Sequence, residues 1–174
     1  RYDAVKQFSP ISDAVRLVAP VMLFRRDALV LDVATGTGRL PAALLSQPGF
    51  AGSVDALDAS GAMLEQARRK LAAYGERARF WQHDALSLPF PDAHFDVVAC
   101  LEALEFMPDW RLAVAEMLRV LKPGGQLLIS NRIGPDAWKL PGRALPTARF
   151  LSELLALGVD DVNMEDWLGD YDLV

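Results

Sequence analysis

Residues 28–45 read ALVLDVATGTGRLPAALL, and this stretch decides the fold. A short apolar run, Leu29 to Leu31, ends in Asp32 and is followed by a loop of small residues, Ala34-Thr35-Gly36-Thr37-Gly38. Pro41 then opens an Ala/Leu-rich segment. A buried parallel strand, a glycine turn, and a helix with Pro in its first turn account for this order. Such a turn brings a ligand against bare backbone and points a helix N-terminus at it.

The whole chain sets wide bounds. Its 174 residues suffice for one domain with a real core, and 52% hydrophobic with 24% charged residues excludes disorder. A net charge of -5 argues against a dedicated nucleic-acid binder. No apolar run approaches the roughly 20 residues that span a bilayer. The lone Cys100 has no disulfide partner and no zinc-ligand company, so no metal is expected and a reducing, cytoplasmic setting is. Residue 1 is Arg rather than Met, so residues before it are expected.

Around the opening stretch, helices and strands alternate. Apolar positions at helical spacing make residues 1–24 helical, either packed on the domain or forming a lid over a pocket. Strands are expected at 53–58 (SVDALD), 78–83 (ARFWQH), 95–101 (FDVVACL) and 126–131 (QLLISN). Between them lie a helix over 62–74, capped by Ser60 and stopped by Gly75, and another over 108–121. Lys122-Pro123-Gly124-Gly125 reads as a breaker ahead of the fifth strand. Residues 132–146, rich in Gly and Pro, form a long loop of the kind that is often functional. A helix over 147–157 and a strand over 161–167 follow, and Tyr171 opens a last strand. The pattern is that of an α/β, doubly wound, mostly parallel sheet.

Ligands of such sheets sit at the carboxyl ends of the strands. Asp32 follows the first strand, Asp58 the second, Asp84 the third, and Cys100-Leu101-Glu102 the fourth. Asp58 lies about 20 residues past Gly38, the spacing at which an acid reaches a ribose diol. A dinucleotide site would need a third small residue, where this chain has Pro41 or Arg39, and an acid such as Asp32 suits a ligand with a cationic end better than a pyrophosphate.

LVLDVATGTG resembles the first motif of the class I S-adenosylmethionine-dependent methyltransferases, with Ala34 in place of its first glycine. DALDASGAMLEQAR resembles their second motif, QHDALSLPFPDAHFDVVAC the third and fourth, and LRVLKPGGQLLIS the fifth, all in order over about residues 28–131. The nearest branch is similar to the small-molecule methyltransferases of ubiquinone and menaquinone biosynthesis. The resemblance implies a Rossmann-like seven-stranded sheet of order 3-2-1-4-5-7-6, strand 7 antiparallel and incomplete here, with further C-terminal residues expected. It divides a single 1–174 domain into a helical lid (1–24), a cofactor core (28–131), a substrate-side loop (132–146) and a C-terminal helix and strands (147–174).

The resemblance also implies the cofactor, S-adenosyl-L-methionine (product S-adenosyl-L-homocysteine), and roles for matching residues. Asp32 and the backbone of Ala34, Thr35, Gly36 and Gly38 would hold the methionine portion. Asp58, with Ala59 beside it, would take the ribose hydroxyls, and Met63 the adenine face. Asp84 with Ala85 and Leu86 would read the adenine amino edge, and Leu101 and Glu102 would lie near the sulfonium. Methyl transfer from a sulfonium is an in-line displacement, so alignment and water exclusion are the main requirements, with a base added for some acceptors. Glu105, at a place often filled by His in related enzymes, is the candidate base or acceptor contact; His83 reads as structural and His94 as surface. The Asn/Asp-Pro-Pro-aromatic signature of nucleic-acid amine methylation is absent, since residues 100–106 read CLEALEF.

Phe8, Phe106 and Trp138, with Met107 and Leu140, point to a small hydrophobic or aromatic acceptor, unless they are core. Two alternatives stay open: an RNA- or protein-directed enzyme, for which Arg132, Lys139, Arg143 and Arg149 are the basic candidates, and a non-catalytic cofactor-binding domain. The oligomeric state is not legible.

Overall fold

The computed structural model describes residues 13–133, 137, 145–167 and 171–174. A π-helical turn, Ala14–Val18, leads into helix α1 (Ala19–Phe24). Pro20 in the first turn of α1 cannot donate back into the preceding turn, which explains the irregular winding there. Then come β1 (Leu29–Val33), α2 (Arg39–Leu45), β2 (Ser53–Asp58), α3 (Gly61–Leu71), β3 (Ala78–Gln82) and β4 (Phe95–Cys100). They are followed by α4 (Trp110–Val120), β5 (Leu121–Arg132), α5 (Thr147–Ala156), β6 (Glu165–Trp167) and β7 (Tyr171–Leu173).

The seven strands form one sheet in the order β3-β2-β1-β4-β5-β7-β6. β1 through β5 pair in parallel, whereas β7 runs antiparallel to both β5 and β6. The expected order is thus observed, with strand 7 reversed. Every residue of β4 is buried, as a central strand covered by helices on both faces requires. Along β1, Val30 faces a cluster with Leu17, Val21, Leu44 and Leu71, while Leu31 and Val33 face one with Trp110, Met117 and Phe150. Alternate side chains therefore join the two helical layers to one sheet.

Three differences from the sequence expectation exceed two residues. Lys122-Pro123-Gly124-Gly125 does not precede the fifth strand but bulges within it. Phe95 pairs with Leu121 and Val97 with Gln126, so Asp96 alone faces four residues of β5. Gly124 takes φ +72°, and a Cβ on Gly125 would come to 2.9 Å from the Asp96 carbonyl oxygen. Asp96 ties the bulge down, accepting from Lys122 Nζ at 2.9 Å and from the Leu29 N–H at 2.9 Å. Second, α3 ends at Leu71, and a 3-10 turn (Ala72–Arg77) carries the chain past Gly75, whose φ is +56°. Third, β6 covers only 165–167 of the expected 161–167, with Asp161 in the left-handed region at φ +50°.

Close backbone approach also constrains the entry to β2. A Cβ on Gly52 would lie 2.1 Å from the Ala28 carbonyl oxygen and 2.8 Å from Phe50 Cζ. We expect Gly52→Ala to lower stability by about 3 kcal/mol, since backbone must move to admit the methyl. Urea unfolding measures this; a loss of less than about 0.5 kcal/mol would refute the packing argument.

Candidate functional site

β1 is flanked by β2 on one side and β4 on the other, so strand order reverses there and a crevice opens at the carboxyl ends. A cavity of about 540 Å³ occupies it. The loop after β1 forms its floor. Gly36 and Gly38 take φ of +56° and +77°, and Ala34 joins them in the left-handed region at +56°. An alanine there is strained by roughly 1 kcal/mol relative to glycine. The Thr35 N–H donates to the Leu57 carbonyl and the Gly38 N–H to the Thr35 carbonyl, each at 2.9 Å, so the loop is anchored to β2 and closed on itself. A Cβ on Gly36 would meet nothing within 4 Å, so its backbone faces open cavity.

Ala34, Thr35, Gly36, Asp32, Asp58 and Ala59 all line the cavity, as do Met63, Asp84, Ala85, Leu101 and Glu102. Two expected cofactor residues do not. Gly38 instead lets α3 approach, since its Cβ would stand 3.1 Å from Leu71 Cδ1 and 3.2 Å from Ala67 Cβ. The Leu86 N–H donates to Asp84 Oδ1 at 2.9 Å and orients that carboxylate.

The acids are in different states. Asp58 accepts from the Gly36 N–H on Oδ2 and from the Ser60 N–H on Oδ1, each at 2.8 Å. Each oxygen keeps a further lone pair for a ligand hydroxyl. Asp32 is 3% exposed and takes a 2.6 Å bond from the Thr35 hydroxyl. Burial pushes its carboxyl up to about 7, opposed by the Thr35 bond and reinforced by the Asp58 charge. No Lys or Arg pairs with it among the described residues. A buried acid in this state is set to receive a cationic group.

Glu105 lies off the cavity wall. Its side chain is buried, and its Oε1 accepts from Tyr171 Oη at 3.1 Å and from Arg132 Nη1 at 3.4 Å. The 3-10 turn Leu104–Phe106 sends Glu105 inward while Phe106, 56% exposed, lies at the mouth of the cavity with Met107 and Pro108. Phe8 and Trp138 lie outside the described residues. His83 lines the cavity, whereas His94 packs edge-on against Phe95.

Sequence reasoning missed Arg39 and Asp13. Arg39 lines the cavity, grips Asp13 through two bonds of 2.9 and 2.5 Å, and donates to Glu102 Oε1 at 2.8 Å. Glu102 sits at φ +53°, where the Ser130 hydroxyl accepts its N–H at 2.6 Å. One guanidinium thus ties the segment before α1 to the end of β4. Its charge, set among strand-end acids, was the available signal. A second groove, of about 670 Å³, opens against Gln126, Leu127 and Leu128 in β5 and carries none of these groups. Among the described residues no His, Cys, Asp or Glu cluster could hold a metal ion.

A strand-end cavity floored by a left-handed glycine loop, with acids at three successive strand ends, defines a class I methyltransferase site. Residues 30–125, more than half of the chain, match the model of the methyltransferase domain, and the chain belongs to that family. It is 43% identical over 100 residues to the demethylmenaquinone methyltransferase of Thermus thermophilus, covering 58% of this chain and 45% of that protein. It is 44% identical over 102 residues to the ubiquinone/menaquinone biosynthesis C-methyltransferase UbiE of Shewanella piezotolerans, covering 58% and 41%. The chain therefore spans less than half the length of these relatives. A SAM-dependent methyltransferase from Aquifex aeolicus superposes with a TM-score of 0.71 at 22% identity over 96% of both chains, which shows the shared fold.

Proposed function

We propose that this domain binds S-adenosylmethionine in the 540 Å³ cavity and directs its methyl group to a small hydrophobic ring acceptor. The observation that carries the reading is the buried, uncompensated Asp32 beside the bare backbone of Gly36, with Asp58 holding spare acceptor capacity one strand away. The cofactor fits this donor set: it brings an ammonium, a ribose diol and an adenine amino group, each of which needs an acceptor. When bound it supplies a methyl carbon activated by the sulfonium.

The chain's own residues do the rest. Asp32 holds the methionine ammonium and gives up its proton in doing so. Asp58 accepts both ribose hydroxyls, while Gly36 and Ser60 keep its oxygens aimed. Met63 covers the adenine face and Asp84, oriented by Leu86, takes the amino edge. Leu101, Phe106, Met107 and Pro108 form an apolar wall that excludes water and positions the acceptor. Nothing on that wall requires Glu105 as a base.

The names of the two relatives, a demethylmenaquinone methyltransferase and a ubiquinone/menaquinone biosynthesis C-methyltransferase, support a quinone precursor as this acceptor. Of the basic residues that would favour an RNA or protein acceptor, Lys139 and Arg143 lie outside the described residues, while Arg132 pairs with Glu105 and Arg149 with Glu153 at 3.7 Å. Among the described residues no helix is long and apolar enough to cross a membrane. Turnover with the cofactor against a panel of quinols, phenols and amines tests the reading. Methylation of a quinol is the expected result, and binding of the cofactor without turnover of any panel member would favour a non-catalytic domain.

A further inference from the structure

Among the described residues, Arg39 alone of the Lys and Arg side chains lines the 540 Å³ cavity. A guanidinium is charged at every working pH, so it repels each positive group that enters beside it. The chain sets two carboxylates against it, drawn from distant positions. Arg39 Nε and Nη2 donate to the two oxygens of Asp13 at 2.9 and 2.5 Å, and Nη1 donates to Glu102 Oε1 at 2.8 Å. Glu102 belongs to the cavity wall, whereas Asp13 does not line the cavity.

Asp13 is held in place by more than this ion pair. One and two helical repeats further on, Leu17 and Val21 are fully buried in the cluster that contains Leu40 and Leu44. Leu40 and Leu44 follow Arg39 on α2, so one apolar seam already fastens both partners of the pair. Holding the segment needs no charge there. What the Asp13 carboxylate adds is an offset to the cation in the cavity wall. The side chains of Arg39, Asp13 and Glu102 are 17%, 11% and 7% exposed, so water and salt screen them poorly and a change of one charge is felt in the cavity.

We propose that Asp13 is a positioning residue that sets the cavity's preference for a cationic ligand, acting through Arg39. The proposal rests on the cofactor reading above, in which Glu102 lies toward the sulfonium end. Loss of the methyl group leaves the C–S electron pair on sulfur and turns the sulfonium into a neutral thioether. By offsetting Arg39, Asp13 favours the charged cofactor over its neutral product and so assists their exchange.

Calorimetry on the whole chain tests this with two unreactive ligands of similar shape. Sinefungin carries an ammonium where the cofactor has its sulfonium, and S-adenosylhomocysteine is neutral there. Asp13→Asn should lower the ratio of sinefungin to S-adenosylhomocysteine affinity by about 5-fold, the effect of one poorly screened charge at a distance of several ångströms. Arg39→Gln should raise the ratio, because it leaves both carboxylates without their shared cation. Asp13→Glu restores the charge and should restore most of the wild-type ratio. A purely structural tie would move both affinities together. An unchanged ratio in Asp13→Asn and Arg39→Gln therefore overturns the proposal, as does a ratio that shifts in the same direction in both. Failure of S-adenosylhomocysteine to bind the wild type overturns the cofactor reading instead.

Discussion

Asp58→Ala weakens S-adenosylhomocysteine binding by at least about 100-fold, as read by calorimetry. Two charge-assisted hydrogen bonds to a ribose diol contribute about 1.5–3 kcal/mol each, and 1.4 kcal/mol is a factor of ten in affinity. The alanine also releases the Gly36 and Ser60 N–H groups that Asp58 holds at 2.8 Å, so the loop after β1 and the start of α3 lose their common anchor. Asp58→Asn keeps an oxygen for one of these bonds and should fall between the two. A loss of less than 3-fold in the alanine variant would show that the diol is held elsewhere.

Asp32→Asn makes the protein more stable and less able to bind. The Asp32 carboxyl titrates at about 7 in the folded protein, against an ordinary value of 3.8, chiefly because burial penalises its charge. The folded state therefore keeps a proton that the unfolded state has lost between these two values. Stability contributed by this group falls as pH rises from about 4 to about 7. At pH 8 the charged carboxylate costs up to about 4 kcal/mol, which asparagine removes while still accepting from the Thr35 hydroxyl. Urea denaturation should show this gain at pH 8 and none near pH 4. Cofactor binding should move the other way. An ammonium beside Asp32 favours the carboxylate, so wild-type affinity for S-adenosylhomocysteine falls below pH 7 as a proton must be shed. The asparagine variant loses most of the affinity and this pH dependence with it. An Asp32→Asn protein that binds normally would remove Asp32 from the site.

These two acids were legible because they are local. Each ends a short apolar strand, and a strand end in a parallel sheet has one place to go. The same holds for the glycine loop, whose small residues announce a left-handed turn wherever the chain later folds. Lys122–Gly125 was legible as an interruption, but not as a bulge within β5, because only the pairing of Phe95 with Leu121 shows that the strand resumes on both sides. Gly38 reads like Gly36 in the sequence and does a different job, since α3 happens to close over it.

Glu105 shows the limit most sharply. Its position after β4 suggested a side chain facing the acceptor, yet one 3-10 turn decides whether such a residue points into the cavity or away from it. Its partners, Arg132 and Tyr171, stand 27 and 66 positions away. Arg39 likewise became a site residue only through Asp13 and Glu102, from two other parts of the chain.

By itself, then, the sequence determined the sheet, the cavity's place in it and the acids that line the cavity. The parallel strands and the acids at their ends follow from periodicity and chain order, which are properties of neighbouring residues, and the strand order from the resemblance of the motifs. Only the tertiary structure decided which strand-end groups are exposed to the cavity, which are neutralised by a partner, and which buried atoms still lack one. Burial and pairing depend on residues that meet only after folding, and they set charge state and hydrogen-bonding capacity.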